Sequence, residues 1–84
     1  MKEGLEISQR LEALEALLRE RGEVAWADRL DVAVAGGATG TESLFRAGAV
    51  LRDLAKSDDA KRLGCRDEAR SLRGLIDRQL RRGL

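Results

Sequence analysis

Apolar residues recur along this chain at spacings of three and four, and four stretches carry the pattern. In residues 5–21, Ile7, Leu11, Leu14 and Leu18 fall four, three and four apart, with Leu17 beside them. That spacing puts them on one face of an α-helix as a two-heptad seam. In residues 23–35, Trp26, Leu30, Ala33 and Val34 share a face, while Asp28, Arg29 and Asp31 fall largely on the other side. Val32 and Val34 alternate with smaller residues and would also fit a short strand over 30–35. The length of the stretch and the absence of a partner strand elsewhere decide for a helix. Residues 41–56 present Leu44, Ala47, Gly48, Leu51, Leu54 and Ala55 as a stripe. Residues 66–82 continue a stripe that starts at Cys65 with Ala69, Leu72, Ile76 and Leu80, and Leu75 lies beside it.

Punctuation between these stretches agrees with them. Gly22 is a natural stop for the first helix, and Gly36 and Gly37 offer positive-φ positions to end the second. Thr39 and Glu42 have the spacing of a capping box, with Thr41 a second candidate N-cap. Ser57-Asp58-Asp59 opens a single turn over 58–63 that Gly64 closes, and Gly83 ends the last helix. Gly48 stands inside an apolar stripe where Ala would be favoured by about 1 kcal/mol. Its presence there predicts close approach of a second helix, with the Trp26 ring over the gap. Gly74 falls on the outer face of the last helix and weakens it slightly. The pattern therefore predicts an all-α fold in one domain, residues 1–84: four helices and one short turn, as a small four-helix bundle or two stacked hairpins with short loops.

Size changes the picture in one respect. A chain of 84 residues buries only a little over about 60% of its unfolded surface. Its apolar content is mostly Leu (14) and Ala (12), with two aromatic residues in all. Such a thin core predicts a homodimer joined through a Leu-rich face of the first or last helix. Trp26 and Phe45 have the spacing of core residues, and either would be the anchor of an interface if it lay on the surface. The first residues do not form a signal peptide, no apolar run approaches the roughly 18 residues of a membrane span, and the single Cys65 suits a reducing cytoplasm. Thirteen Arg against three Lys has the look of a GC-rich bacterial genome, so the abundance of Arg is poor evidence for nucleic-acid binding by itself.

Charge is polarised along the chain. Residues 1–35 hold five basic and eight acidic side chains, whereas residues 61–84 hold eight basic and three acidic. Arg66, Arg70, Arg73 and Arg81 edge the last apolar stripe, with Arg78 and Arg82 a further third of a turn round. Such a ridge can contact phosphates. It can equally flank a helix interface and pair with the acidic first helix through Glu12, Glu15 or Glu20. No aromatic residue is interleaved for base stacking, and no helix-turn-helix pattern stands out.

Other candidate chemistry is sparse. The loop Gly36-Gly37-Ala38-Thr39-Gly40-Thr41 could cradle an anion at a helix start, but it lacks the Lys of a phosphate-binding loop, and a capped turn accounts for it. Arg62 and Arg66 beside Cys65 favour a thiolate, whereas its place in the apolar stripe favours a buried structural thiol. With no His and one Cys a zinc site lacks its ligands, and Asp58 and Asp59 lack the spacing of a calcium loop. No nucleophile elbow and no His for proton transfer is present, so neither a catalytic residue nor a cofactor is assigned. An enzyme working through carboxylates alone would need a concave pocket that four short helices rarely provide.

Gly22-Glu23-x-x-Trp26-Ala27-x-x-Leu30, followed by Gly36-Gly37-x-x-Gly40-Thr41-x-x-Leu44, resembles a small bacterial all-helical domain of unknown function, some of whose members lie near toxin and immunity loci. The likeness covers about a quarter of the chain. Here the turn carries one extra residue and Ser43 stands where an Asp would precede Leu44. The resemblance implies a helical fold and an immunity-like role; it supplies no functional residue. The sequence thus points to a non-enzymatic, cytoplasmic protein-interaction module, immunity-like or an accessory subunit, that presents a rigid helical face with Leu11, Leu14, Leu18 and Trp26 as anchors. The alternative is a small nucleic-acid-associated protein using Arg66, Arg70, Arg73, Arg78, Arg81 and Arg82.

Overall fold

The computed structural model describes residues 2–37 and 39–83, and among these the chain is all-α. Five helices follow one another: α1 (Lys2–Glu20), α2 (Val24–Ala35), α3 (Gly40–Lys56), α4 (Asp58–Leu63) and α5 (Arg66–Gly83). The turn expected over 58–63 is the six-residue α4. Contacts close into a ring in which α1 packs on α2, α2 on α3, α3 on α5 and α5 back on α1, with α4 seated against α3 and α5. That ring makes a four-helix bundle rather than two stacked hairpins, with α4 as a connector. A radius of gyration of 11.9 Å is that expected of a compact chain of this length.

The helix ends follow from local chemistry. Gly22 takes φ 82° and Gly64 φ 72°, a left-handed backbone that costs glycine nothing. After α1, the Glu23 N–H donates to Leu18 O at 2.7 Å and the Gly22 N–H to Arg19 O at 3.1 Å. After α4, the Cys65 N–H donates to Ala60 O at 3.0 Å and the Gly64 N–H to Lys61 O at 3.3 Å. Both are Schellman endings, which use up carbonyls that a helix terminus would otherwise orphan. Thr39, not Thr41, caps α3, its hydroxyl accepting from the Glu42 N–H at 3.1 Å. Ser57 serves two helices: its hydroxyl donates to Leu54 O at 2.6 Å at the end of α3 and accepts from the Ala60 N–H at 3.2 Å at the start of α4.

Gly36 and Gly37 do not supply positive φ. Gly36 sits at φ −82°, ψ −8°, and the left-handed glycines among the described residues are Gly22 and Gly64. Close approach is the reason for glycine at 37: a Cβ there would stand 2.6 Å from the Ser43 nitrogen and 2.8 Å from its Cα. Ser43 fixes this corner by donating its hydroxyl to Val34 O at 2.8 Å. Ala38 of the same loop lies outside the described residues. Gly48 gives the opposite result. A Cβ at 48 would meet Ile76 Cγ2 at 3.6 Å, an ordinary van der Waals distance, and no Trp26 ring covers it. The predicted close approach is absent.

The core draws on every helix: Ile7, Leu11, Leu14 and Leu18 from α1, Leu30 from α2, Leu51 and Leu54 from α3, Ala60 from α4, and Leu72 and Ile76 from α5, with Cys65 just before it. Among the described residues no polar or charged side chain is buried. This disposition corrects two expectations. Leu11, Leu14 and Leu18 are 8%, 2% and 0% exposed, so they fill the core and cannot anchor a partner. The Leu-rich faces of α1 and α5 are likewise turned inward and are not open seams for a dimer. On α2 the buried residues are Ala27, Leu30 and Ala33, while Val34 is exposed and Trp26 half-buried.

Candidate interaction face

Trp26 leans across from α2 to α4. Its indole N–H donates to Asp59 Oδ2 at 2.9 Å, and the Arg29 guanidinium carbon lies 4.6 Å from the ring centroid, within cation–π range. Asp59 also accepts from Arg62 at 2.7 Å, and Arg62 reaches Glu23 as well. Asp59 is therefore the acceptor of an α2–α4 clamp, more than a cap. Trp26 is half-buried, packed against the core and held by this clamp, so it is not a free knob.

Phe45 is the aromatic residue that the fold leaves outside. It falls one position past the α3 stripe, 61% exposed. Ala49, one turn on, is exposed too, and Val32 of α2 is 64% exposed across the groove between the two helices. That groove encloses about 480 Å³ and is lined by Asp28, Arg29, Val32, Ala33, Arg46, Ala49 and Val50. On the other side of Phe45 and Ala49 a narrower crevice of about 160 Å³ runs between α3 and α5, past Gly48, Arg52, Arg73, Ile76 and Asp77. The outer face of α3 thus carries a small apolar spot, Phe45 and Ala49, between two grooves. Both signs of charge rim it: Arg46 pairs with Glu42 at 2.9 Å, Arg29 with Asp53 at 2.9 Å, and Arg52 with Asp53 at 3.5 Å. The hydrogen bond from Arg29 holds the Asp53 carboxyl below the usual Asp range.

The charge polarity of the sequence does not become the expected pairing. Among the described residues none of Arg66, Arg70, Arg73 and Arg81 pairs with Glu12, Glu15 or Glu20. The α1–α5 link runs in the opposite sense, basic residue on α1 and acidic on α5: Arg10 Nε donates to Glu68 Oε2 at 3.0 Å and Nη2 to Oε1 at 2.6 Å, with Ser71 Oγ 3.0 Å from the same nitrogen. This is a bidentate fork, the stronger geometry for such a pair. Glu15 turns instead to Arg19, which also meets Asp28 at 2.9 Å. Along α5 the ridge is interrupted by Asp77, which lies 3.9 Å from Arg73 and whose carbonyl accepts from Arg81 at 3.4 Å. Arg66 is drawn inward, donating to Ser57 O at 3.3 Å. Arg70, Arg78 and Arg82 lie exposed along the same helix.

Cys65 is 2% exposed, and burial pushes its thiol above the ordinary range. The neighbouring arginines do not reverse that, so the residue is a core filler in a state unsuited to nucleophilic attack. Among the described residues no group of three or more His, Cys, Asp and Glu side chains is placed to hold a metal ion, and no helix is long and apolar enough to cross a membrane.

Sequence reasoning placed Phe45 in the core and so missed the face built on it. The signal was present: at 100° per residue Phe45 falls beside Ala49 and Arg52, on the flank away from Leu44, Ala47 and Leu51. No family model, curated protein or solved structure matches the chain.

Proposed function

We propose that this chain is a non-enzymatic protein-interaction module whose contact face is the outer side of α3. The exposed Phe45, one turn before the exposed Ala49 and on a helix side that carries charges of both signs, is the observation that carries the reading. An exposed apolar patch rimmed by polar residues marks an interaction site, and aromatic residues dominate interface energetics when covered. Trp26 contributes through its stack with Arg29, which lines the α2–α3 groove, while Leu11, Leu14 and Leu18 act only by making the platform rigid. The resemblance to small bacterial helical domains, some of them encoded near toxin and immunity loci, favours an immunity-like or accessory role in the cytoplasm. The arginine ridge loses support as a nucleic-acid site because Asp77 sits within it.

The test is a photoreactive phenylalanine analogue placed at position 45, with the same analogue at Arg70 as control, irradiated in cells that make the protein. Adducts at 45 and none at 70 are expected. Adducts at 70 alone, or at neither position, overturn the choice of face.

A further inference from the structure

We propose that the occupant of this face is a second copy of the chain, bound by antiparallel pairing of α3 with its symmetry mate about Ala49; the inference rests on the preceding reading of the face. A two-fold axis normal to the helix through Ala49 brings residues together whose numbers sum to about 98, each flank meeting the same flank of the partner. The small Ala49 then opposes its own copy and lets the backbones approach. On the α2 side Arg46 meets Asp53 of the other chain, and on the α5 side Phe45 meets Arg52, a guanidinium that can lie over the ring. At the ends Glu42 faces Lys56. All seven positions line the solvent side of α3, exposed or half-exposed, and every charged pairing in this register is attractive. A parallel arrangement would oppose each charge to its own copy. The second groove wall adds Val32 from each chain.

Charge complementarity under a two-fold is the argument for a second copy over an unrelated protein. A mixed rim of Arg46, Arg52, Asp53, Glu42 and Lys56 carries a net charge of only +1, too little to select a strongly acidic partner, yet it matches itself. A standard interface takes about 800 Å² per partner, which would be roughly 15% of the 5329 Å² surface. One 17-residue helix and its flanks offer less than that, so the dimer is expected to be weak, with Kd in the range of roughly 10–100 µM.

Sedimentation equilibrium from about 5 to about 500 µM, bracketing that affinity, is expected to show a monomer–dimer transition. Arg46→Glu and Asp53→Arg should each weaken it about tenfold, because each makes two attractive contacts repulsive. The double variant should recover most of the loss. It leaves the intrachain Glu42 and Arg29 pairs broken, so restored native intrachain pairs cannot account for the recovery. Ala49→Cys should form a disulfide-linked dimer under mild oxidation, which Asp67→Cys, exposed on α5, should not. A chain monomeric at the highest concentration, or a double swap that fails to recover, overturns the pairing. The crosslinking at position 45 separates the two levels. Adducts of twice the chain mass support both; adducts of another mass retain the interaction face and sink the second copy; no adduct sinks the face itself.

Discussion

Replacing Gly48 by Ala tests the packing of α3 on α5 at its most informative point. Glycine inside a helix costs about 1 kcal/mol relative to alanine, through the backbone freedom it gives the unfolded chain. Whether a methyl recovers that depends on the space it enters. Here the added Cβ would find Ile76 Cγ2 at 3.6 Å and no other heavy atom within 4 Å beyond its own surroundings. The methyl therefore fits without moving Ile76 and fills part of the crevice between the helices, adding up to about 0.8 kcal/mol of apolar burial. The variant should gain about 1–2 kcal/mol. For a domain of this size each 1 kcal/mol raises Tm by about 4–8 °C. The control is Gly74→Ala on the outer face of α5, where an added Cβ meets nothing within 4 Å; it should gain the propensity part alone. Thermal unfolding followed by circular dichroism at one fixed protein concentration reads both. A Tm that falls for Gly48→Ala while it rises for Gly74→Ala would refute the reasoning, because α3 and α5 would then have to lie closer together than described.

Gly37→Ala should act in the opposite sense, losing about 1–3 kcal/mol because its Cβ would press on the Ser43 backbone; urea unfolding checks it. Trp26→Phe keeps a ring on the clamp but loses the donation to Asp59, so a cost of about 1 kcal/mol is expected, with a smaller one for Asp59→Asn, which keeps an acceptor. Asp53 contributes stability that depends on pH with a definite sign. Its folded carboxyl titrates below the unfolded one, so the contribution is complete above the unfolded value of about 3.9 and fades as pH falls beneath it. The Tm difference between wild type and Asp53→Asn, measured on dilute monomer, should hold constant from about pH 5 to pH 8 and close below about pH 4. Fluorescent duplex DNA at low salt should show no binding at about 10 µM protein; binding that falls steeply with salt would reinstate the arginine ridge.

What the sequence made legible divides by range. Helix existence, the Gly22 and Gly64 endings, the Thr39 and Ser57 caps and the residues that make up the stripes of α1 and α5 were all readable, because each is decided within four or five residues; that those stripes fill this chain's own core and do not meet a partner was not. The reasons for Gly37 and Gly48 were misjudged, because close approach depends on where a second segment lies. The Arg10–Glu68 and Trp26–Asp59 links were illegible for the same reason: they join residues 58 and 33 apart, and only the rotation of each helix about its axis decides them. The candidate site fell between these cases. Phe45 was one residue out of phase with its stripe, a local fact, but two grooves beside it exist only after α2 and α5 are set against α3.

An interior without a single polar side chain among the described residues has a consequence for how this fold is specified. Leu, Ile and Ala exchange neighbours at little cost, so the core resists collapse into water but does little to forbid one helix from slipping a turn along another. Alignment is enforced at the perimeter instead, by directional links between helices: the Arg10–Glu68 fork, the Arg29–Asp53 pair and the indole of Trp26 on Asp59. Core volume and shape hold the helices together, and a few solvent-lapped contacts add direction to their alignment. Sequences that keep those pin positions while exchanging core residues at constant volume would preserve the shape, and sequences that keep the core and lose the pins would hold their helices with looser register.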